Sequence, residues 1–520
     1  MFFFFQDIEN NPDLKGFKLL NLDIRGNKYI GNQRFQFVSN KETSEGPYST
    51  IIIGPNGTGK SYILRTILDV FREAYNYREK GKRQQFVSGE YSLTYSYEGS
   101  IFQFGNIKYL ENAEMLDKES RKTTFEFKKD GEFVSEKELQ LPEAFIANSI
   151  MLTDKFPIVK NEFEPYTYLG VRRENSPSTA GTRTYVTRTV NYAVDSIADD
   201  VFVRKLKDTL AFLELEQKFY VSFIPKYRNK FFTGNVTADF FYEFHDRYWE
   251  HTRRKEGSPP WSKKRFDDHT GKDRDLVEKL AKLCNEITTR LVPTYQGSRS
   301  RCFGYDLLLG ELKGEEYKLI NELRALDLIS YPSISLSKIN SEFDLDESSS
   351  GEAHFLSSIV ALIATMKHNS LVLIDEPEIS LHPNWQMKYM GFLQKIFEEY
   401  PSNHFFVATH SHFLISDLDG EKSSIIGLRR EKEIIPEFFD LNTYGWSTEE
   451  VLYSIFKLRT TRNHFFEYDL SKMISLINNS SDDYQTIGEL IEKFESLEYS
   501  QADPMNVLIE KAKNYIEENA

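Results

Sequence analysis

The sequence predicts an α/β fold. It has a mixed β lobe and a parallel-sheet core, split by a mostly helical insertion and followed by a helical tail. Three observations predict it. Ser49-Thr50-Ile51-Ile52-Ile53 is a continuous apolar, β-branched run that leads through a glycine-rich turn into a helical pattern at 60–75. Leu371-Val372-Leu373-Ile374 is a second apolar run, and it ends in two carboxylates, Asp375 and Glu376. Phe405-Phe406-Val407-Ala408 is a third, and it ends in Thr409-His410. Strands with no polar alternation are covered on both faces, as in parallel sheets flanked by helices.

The elements follow in order. Met1 to Phe5 include four phenylalanines, expected to pack as a first strand or a docked terminus. No basic segment or small-residue cleavage site marks them as a signal peptide. Segments 17–24, 35–38, 89–97, 124–127 and 144–152 are β-like. From Tyr166 the texture changes, with helical periodicity over 194–215, 239–254 and 274–291. Strand character returns at 329–343, then helix at 352–367, strand at 370–374, helix at 384–399 and strand at 404–408. Short helices are expected from Ser447 onward, and Asp503-Pro504 is a helix start: Asp caps, and Pro suits the first helical position. The expected division is residues 1–165, the first part of the core with the glycine-rich turn; 166–328, the insertion; 329–445, the second part of the core; and 446–520, the tail.

Composition narrows the function classes. The 520 residues carry 65 Lys plus Arg against 79 Asp plus Glu, a formal charge of −14. That excludes a generally basic nucleic-acid coat and leaves only local basic patches for DNA. The candidate patches are 78–83, Arg172-Arg173 with Arg183 and Arg188, and 253–265. Two cysteines, Cys284 and Cys302, give neither a disulfide framework nor metal-site spacing, so cytoplasmic residence is expected. The apolar stretch 356–366 is far short of the roughly 20 residues that span a bilayer.

Four motifs carry chemistry. Gly54-Pro55-Asn56-Gly57-Thr58-Gly59-Lys60-Ser61 matches G-x-x-x-x-G-K-[ST] between a buried strand and a helix. Its glycines let backbone N–H groups wrap phosphates, Lys60 reaches the β- and γ-phosphates, and the Ser61 hydroxyl coordinates Mg²⁺. Asp375 is expected in the Mg²⁺ shell, and Glu376 as the group that positions or deprotonates the attacking water. Ser348-Ser349-Ser350-Gly351-Glu352 precedes a helix and lies shortly before Asp375. Alone it is an N-cap. His410, at a strand end 35 residues past Asp375, is placed to contact a γ-phosphate, with His412 as the structural comparison.

In this order the motifs resemble the ABC-type ATPase head: phosphate loop, signature, Mg²⁺ strand with catalytic Glu, and switch His. The resemblance implies ATP and Mg²⁺ as cofactors. It implies that Asn56, Gly57, Thr58, Gly59, Lys60 and Ser61 bind the nucleotide. Lys60, Glu376 and His410 would then be the catalytic set. Ser349 and Gly351 would contact the nucleotide of a second subunit, in a head-to-tail dimer. The segment 376–383, with Leu381-His382-Pro383 in place of an Asp-bearing loop, is similar to the SMC, RecF and OLD group rather than to transporters. The Gln that usually couples the metal site to an inserted domain has no evident counterpart. Asp154-Lys155-Phe156, Tyr166-Thr167-Tyr168-Leu169-Gly170 and the tail resemble the ATPase subunit of Septu-type anti-phage systems, some tied to retrons. That implies an HNH-type nuclease partner.

Three functions are therefore weighed. The first is an ATPase dimer that gates a partner nuclease. The second is an OLD-like nuclease, for which Asp417-Leu418-Asp419 has the spacing but lies too close to the His410 strand. The third is an ATP-gated DNA clamp in repair.

Overall fold

The structure is a computed structural model. It describes residues 16–39, 46–81, 84–106, 125–158, 165–172, 182–251, 260–294, 297–338, 341–345, 350–379, 381–430, 433–456, 464–479, 481–497 and 504–519. The expected strand at Met1 to Phe5, the signature residue Ser349, and Arg83, Arg173 and Arg253 to Lys255 lie outside the described residues.

Along the chain, β1 (Lys18–Asn27) and β2 (Gly31–Gln36) form a hairpin, and β3 (Tyr48–Ile53) leads into the helix Lys60–Lys80. Then come β4 (Glu90–Tyr97), β5 (Ser100–Gly105), β6 (Glu126–Lys129), β7 (Glu132–Phe133), β8 (Ala144–Ser149) and β9 (Tyr166–Tyr168). The next region holds the helices Thr182–Ser196, Asp200–Phe212, Ala238–His251, Trp261–Asp268, Arg274–Thr289 and Gly314–Ala325. It also holds β10 (Tyr220–Phe223), β11 (Val292–Thr294), β12 (Gly297–Asp306), β13 (Ser333–Lys338) and β14 (Ser341–Asp344). The helix Ser350–Thr365, β15 (Ser370–Asp375), the helix Pro383–Ile396, β16 (His404–Thr409), β17 (Ser423–Arg430) and β18 (Ile434–Phe439) complete the first unit.

The core sheet has the order β18-β17-β3-β16-β15-β8-β9. Only β18 runs antiparallel to its neighbour; the other pairings are parallel. Every residue of β3, β8, β15 and β16 is buried, which explains the apolar runs within them. A second sheet, β2-β1-β4-β5-β6-β7, is antiparallel. The helix Lys60–Lys80 belongs to one core with both sheets: Ile63, Ile67, Leu68 and Phe71 cluster with Leu93, Tyr95 and Phe104 and with Ile52, Leu371 and Phe406.

The insertion carries more than helices. Its sheet, β11-β12-β10-β13-β14, is antiparallel, and β10 pairs with β13 as Val221↔Ile334. This pairing crosses the division expected at 328/329. The reason is length and separation: β10 has four residues, and its partners lie 80 or more positions away, so no local alternation announces them.

The chain divides into two compact units, Met1–Gly445 and Trp446–Ala520. The second has its own core, in which Met473, Ile487, Leu490, Phe494, Met505 and Ile509 join the helices His464–Asn478, Tyr484–Glu495 and Pro504–Asn519. The last helix starts at Pro504, where the sequence put it.

Candidate nucleotide site

Register builds the site. Ile53 of β3 pairs with Thr409 of β16, Ala408 of β16 with Asp375 of β15, and Asp375 with Ser149 of β8. Four parallel strands therefore end at one edge of the sheet, the edge where α/β sheets bind ligands. The glycine-rich loop, Asp375-Glu376 and His410 all leave the sheet there.

The loop has the backbone of a cradle. Gly57 and Gly59 adopt φ of 79° and 89°, a region that favours glycine. A Cβ on Gly54 would sit 2.6 Å from the Leu428 carbonyl oxygen, so glycine alone lets β17 pass. Thr58 donates its hydroxyl to the Pro55 carbonyl (2.8 Å), which closes the loop on itself. Asn56 and Gly57 are exposed at its tip. No side chain caps the helix Lys60–Lys80, so its first N–H groups remain available to an anion.

Lys60 is buried, and its Nζ donates to the Gly54 carbonyl at 2.8 Å. It also lies 3.1 Å from His410 Nδ1 and 2.8 Å from Nε2. Burial lowers the Lys60 ammonium to about 8, against the pull of Glu376, Asp375 and Glu378. His410 Nε2 is 2.9 Å from Glu376 Oε1. The arrangement that satisfies both neighbours puts the ring hydrogen on Nε2, donating to Glu376, with Nδ1 accepting from Lys60. The His410 hydrogen bond holds the Glu376 carboxyl below its usual range. Glu376 also takes φ of 52°, rare for a residue with a Cβ, and its N–H is fixed on the Ala408 carbonyl at 2.8 Å.

Ser61 donates its hydroxyl to Asp375 Oδ1 at 3.0 Å. Burial pushes Asp375 up to about 7, with the neighbouring charges of Glu376 and Asp154 adding and the Ser61 bond and Lys60 opposing. Its Oδ2 is buried with no hydrogen-bond partner in the structure. A hydroxyl beside a buried carboxylate with a spare oxygen fits Mg²⁺ bound beside a nucleotide, where phosphate and water oxygens fill the remaining positions. Among the described residues no group of three or more His, Cys, Asp or Glu forms an all-protein metal cage.

The structure thus brings together Lys60, Ser61, Asp375, Glu376 and His410. Gly351 is outside that chain of hydrogen bonds but lines a small cavity with Asn148, His354 and Asp375, from the first turn of the helix Ser350–Thr365. Ser349 lies outside the described residues. Leu381-His382-Pro383 starts the helix Pro383–Ile396: His382 caps Asn384 N–H through Nδ1 (3.3 Å), and Pro383 takes the first position.

Two acids were given no role by the sequence. Glu378 is buried, and its Oε1 accepts from the Thr409 hydroxyl (2.7 Å) and from the N–H groups of His410 (2.6 Å) and Ser411 (3.2 Å). Burial raises its carboxyl despite these bonds. Its signal was the second carboxylate of Glu376-Pro377-Glu378. Asp154 accepts from the Tyr168 hydroxyl (2.6 Å) and, on both oxygens, from Arg172 (2.9 and 2.6 Å). Across from Asp375 stands Ser149, and the loop leading on to Asp154 contains no Gln.

Among the described residues of the basic stretches, several cations are committed within the chain. Arg78 donates to Glu79 and to the Leu139 carbonyl, Arg172 to Asp154, and Arg188 to the Gly170 carbonyl. Lys263 pairs with Asp267 and Arg265 with Glu322. Among the described residues no helix is long and apolar enough to cross a membrane.

Comparison with known proteins adds one family and several solved structures. A family model described as an AAA ATPase domain matches residues 35–415. The SMC head bound to the C-winged helix domain of ScpA aligns at 9% identity over 81% of this chain and 98% of its own, with a TM-score of 0.35. The SMC head domain from Thermotoga maritima aligns at 11% identity over 81% and 99%, with 0.33. The recombination mediator RecF of the RecFOR pathway aligns at 13% identity over 80% and 98%, with 0.26. Scores of this size carry no argument about function.

Proposed function

Because the chain belongs to the AAA ATPase domain family, we propose that it is an ABC-type ATPase that hydrolyses ATP between the loop at 54–61 and Glu376. The observation that carries this reading is one chain of contacts at one sheet edge. Ser61 meets Asp375, Lys60 meets His410, and His410 meets Glu376.

The residues divide the work. The N–H groups of Asn56 to Ser61 and the Lys60 ammonium bind the phosphates. Ser61 and Asp375 would hold Mg²⁺, which when bound neutralises charge on the phosphate oxygens. Glu376 takes a proton from water as the water oxygen bonds to the γ-phosphorus. The bond from that phosphorus to the bridging oxygen breaks, and its electron pair leaves with ADP. His410 is held between Lys60 and Glu376, where it can meet the γ-phosphate. Lys60 donates to the Gly54 carbonyl and lies against His410. The negative charge of a bound triphosphate favours the ammonium form of Lys60.

The finer reading is a head-to-tail dimer in which Ser349 and Gly351 of each subunit contact the other's nucleotide. Its output is control of an HNH-type partner nuclease in anti-phage defence. The motif order supports the dimer; the residues around Asp154 and Tyr166 to Gly170, as a resemblance, support the partner. An ATP-gated DNA clamp is the second reading, but the internal pairing of Arg78, Arg172, Arg188, Lys263 and Arg265 favours delegating nucleic acid to a partner. The test is the mass of Glu376→Gln by sedimentation, with and without ATP and Mg²⁺. Doubling with ATP, abolished by Gly351→Glu, is expected; a mass indifferent to ATP overturns the dimer.

A further inference from the structure

Glu378 is tied to the residues on both sides of the His410 ring. One oxygen, Oε1, gathers three donors: the Thr409 hydroxyl at 2.7 Å, His410 N–H at 2.6 Å and Ser411 N–H at 3.2 Å. Thr409 Oγ1 in turn accepts from Ser411 N–H at 2.9 Å, so the turn after β16 is closed on both sides. The Ser411 hydroxyl then donates to Gln386 Oε1 at 2.6 Å. Gln386 returns to the first segment, donating through Nε2 to the Leu381 carbonyl at 2.9 Å. The segment after Glu376 and the backbone that carries His410 are thereby one hydrogen-bonded piece.

This arrangement is costly unless it does something. Glu378 and Thr409 are buried, and Glu378 Oε2 has no hydrogen-bond partner in the structure. A buried carboxyl with one bare oxygen carries a desolvation penalty that a simple loop staple avoids. What it provides is direction. Backbone N–H groups gathered on one carboxylate oxygen fix the orientation of the peptides flanking His410. The ring leaves that backbone toward Glu376 Oε1 at 2.9 Å and Lys60 Nζ at 2.8 Å.

We infer that Glu378 is a positioning residue: it holds the Thr409–Ser411 backbone so that the His410 ring stands between Lys60 and Glu376. Gln386 completes the hold from the helix that follows. A shift in the segment 376–383 is then felt at His410 through Glu378 and Gln386 without any contact to the nucleotide. The inference rests on the assignment of His410 to the ATPase site.

The experiment measures kcat, KM for ATP and ATP affinity for Glu378→Ala, Glu378→Gln, His410→Ala and the Glu378→Ala/His410→Ala double variant. Misplacing a catalytic group by about 1 Å costs on the order of 10²-fold, so Glu378→Ala is expected to lower kcat by about that factor with KM changed little. Glu378→Gln keeps an acceptor oxygen and should recover much of the loss. In the double variant the Glu378 change should cost nothing beyond His410→Ala, because both act through one ring. Equal losses from Glu378→Ala with and without His410 would overturn the inference, as would a wild-type kcat in Glu378→Ala while His410→Ala is slow. A wild-type kcat in His410→Ala would instead remove the reading of the site beneath it.

Discussion

Glu376 occupies a left-handed backbone position at φ 52°, beside a proline, with its N–H held on Ala408. Strain of this kind costs on the order of 1–3 kcal/mol and persists only where surrounding contacts enforce it. Here the enforced geometry aims the carboxylate at His410. Gly54 answers the opposite demand, for no side chain at all. Gly54→Ala is expected to shift the loop off the Leu428 carbonyl and raise KM for ATP several-fold, and a titration of rate against ATP reads it directly. A different residue, His404, contributes to acid sensitivity. Its Nδ1 accepts from Leu19 N–H at 3.0 Å and its Nε2 lies 2.9 Å from Thr50 Oγ1. Burial holds its pKa well below that of ordinary histidine. The unfolded chain, with histidine near 6.5, then binds the proton first, so the His404 contribution to stability is present above about pH 6.5 and is lost as pH falls toward the folded value. Urea unfolding between pH 7.5 and 5 should show a steeper loss in wild type than in His404→Gln.

The elements explain what could be read in advance. β3, β15 and β16 were legible because burial on both faces writes an apolar run, and each run ends in residues with evident chemistry. Their register could not be read, yet it sets Lys60, Asp375 and His410 at one edge. Glu378 was illegible for a related reason: its partners are backbone N–H groups some thirty positions later, and no side-chain spacing marks them. Strand character at 329–343 was read, but β10 was missed because it pairs with β12 and β13 over long separations, as in Tyr220↔Ser335. The helix Lys60–Lys80 joins the two sheets, with Phe71 fully buried against Phe17, Tyr95, Phe104 and Phe145. Phe71→Ala should cost about 3–5 kcal/mol by chemical denaturation. Because the same helix opens at Lys60, the surviving folded protein should also bind ATP more weakly.

At the scale of the molecule, the unit Trp446–Ala520 has its own core, so a cut belongs before Trp446 rather than inside the three helices. A chain ending at Gly445 is expected to stay folded and to hydrolyse ATP while losing any partner that docks on the tail; loss of solubility would mean that the first unit needs the second. The net charge of −14 leaves a nucleic-acid role to local cations, and Arg78, Arg172, Arg188, Lys263 and Arg265 are occupied within the chain. One chemical assignment underlies the proposed ATPase, Glu376 as its base. The direct measurement is ATP binding and single-turnover hydrolysis by purified Glu376→Gln beside wild type. Near-wild-type binding and a rate reduced by about 10²–10⁴-fold are expected. Hydrolysis at the wild-type rate would contradict that assignment.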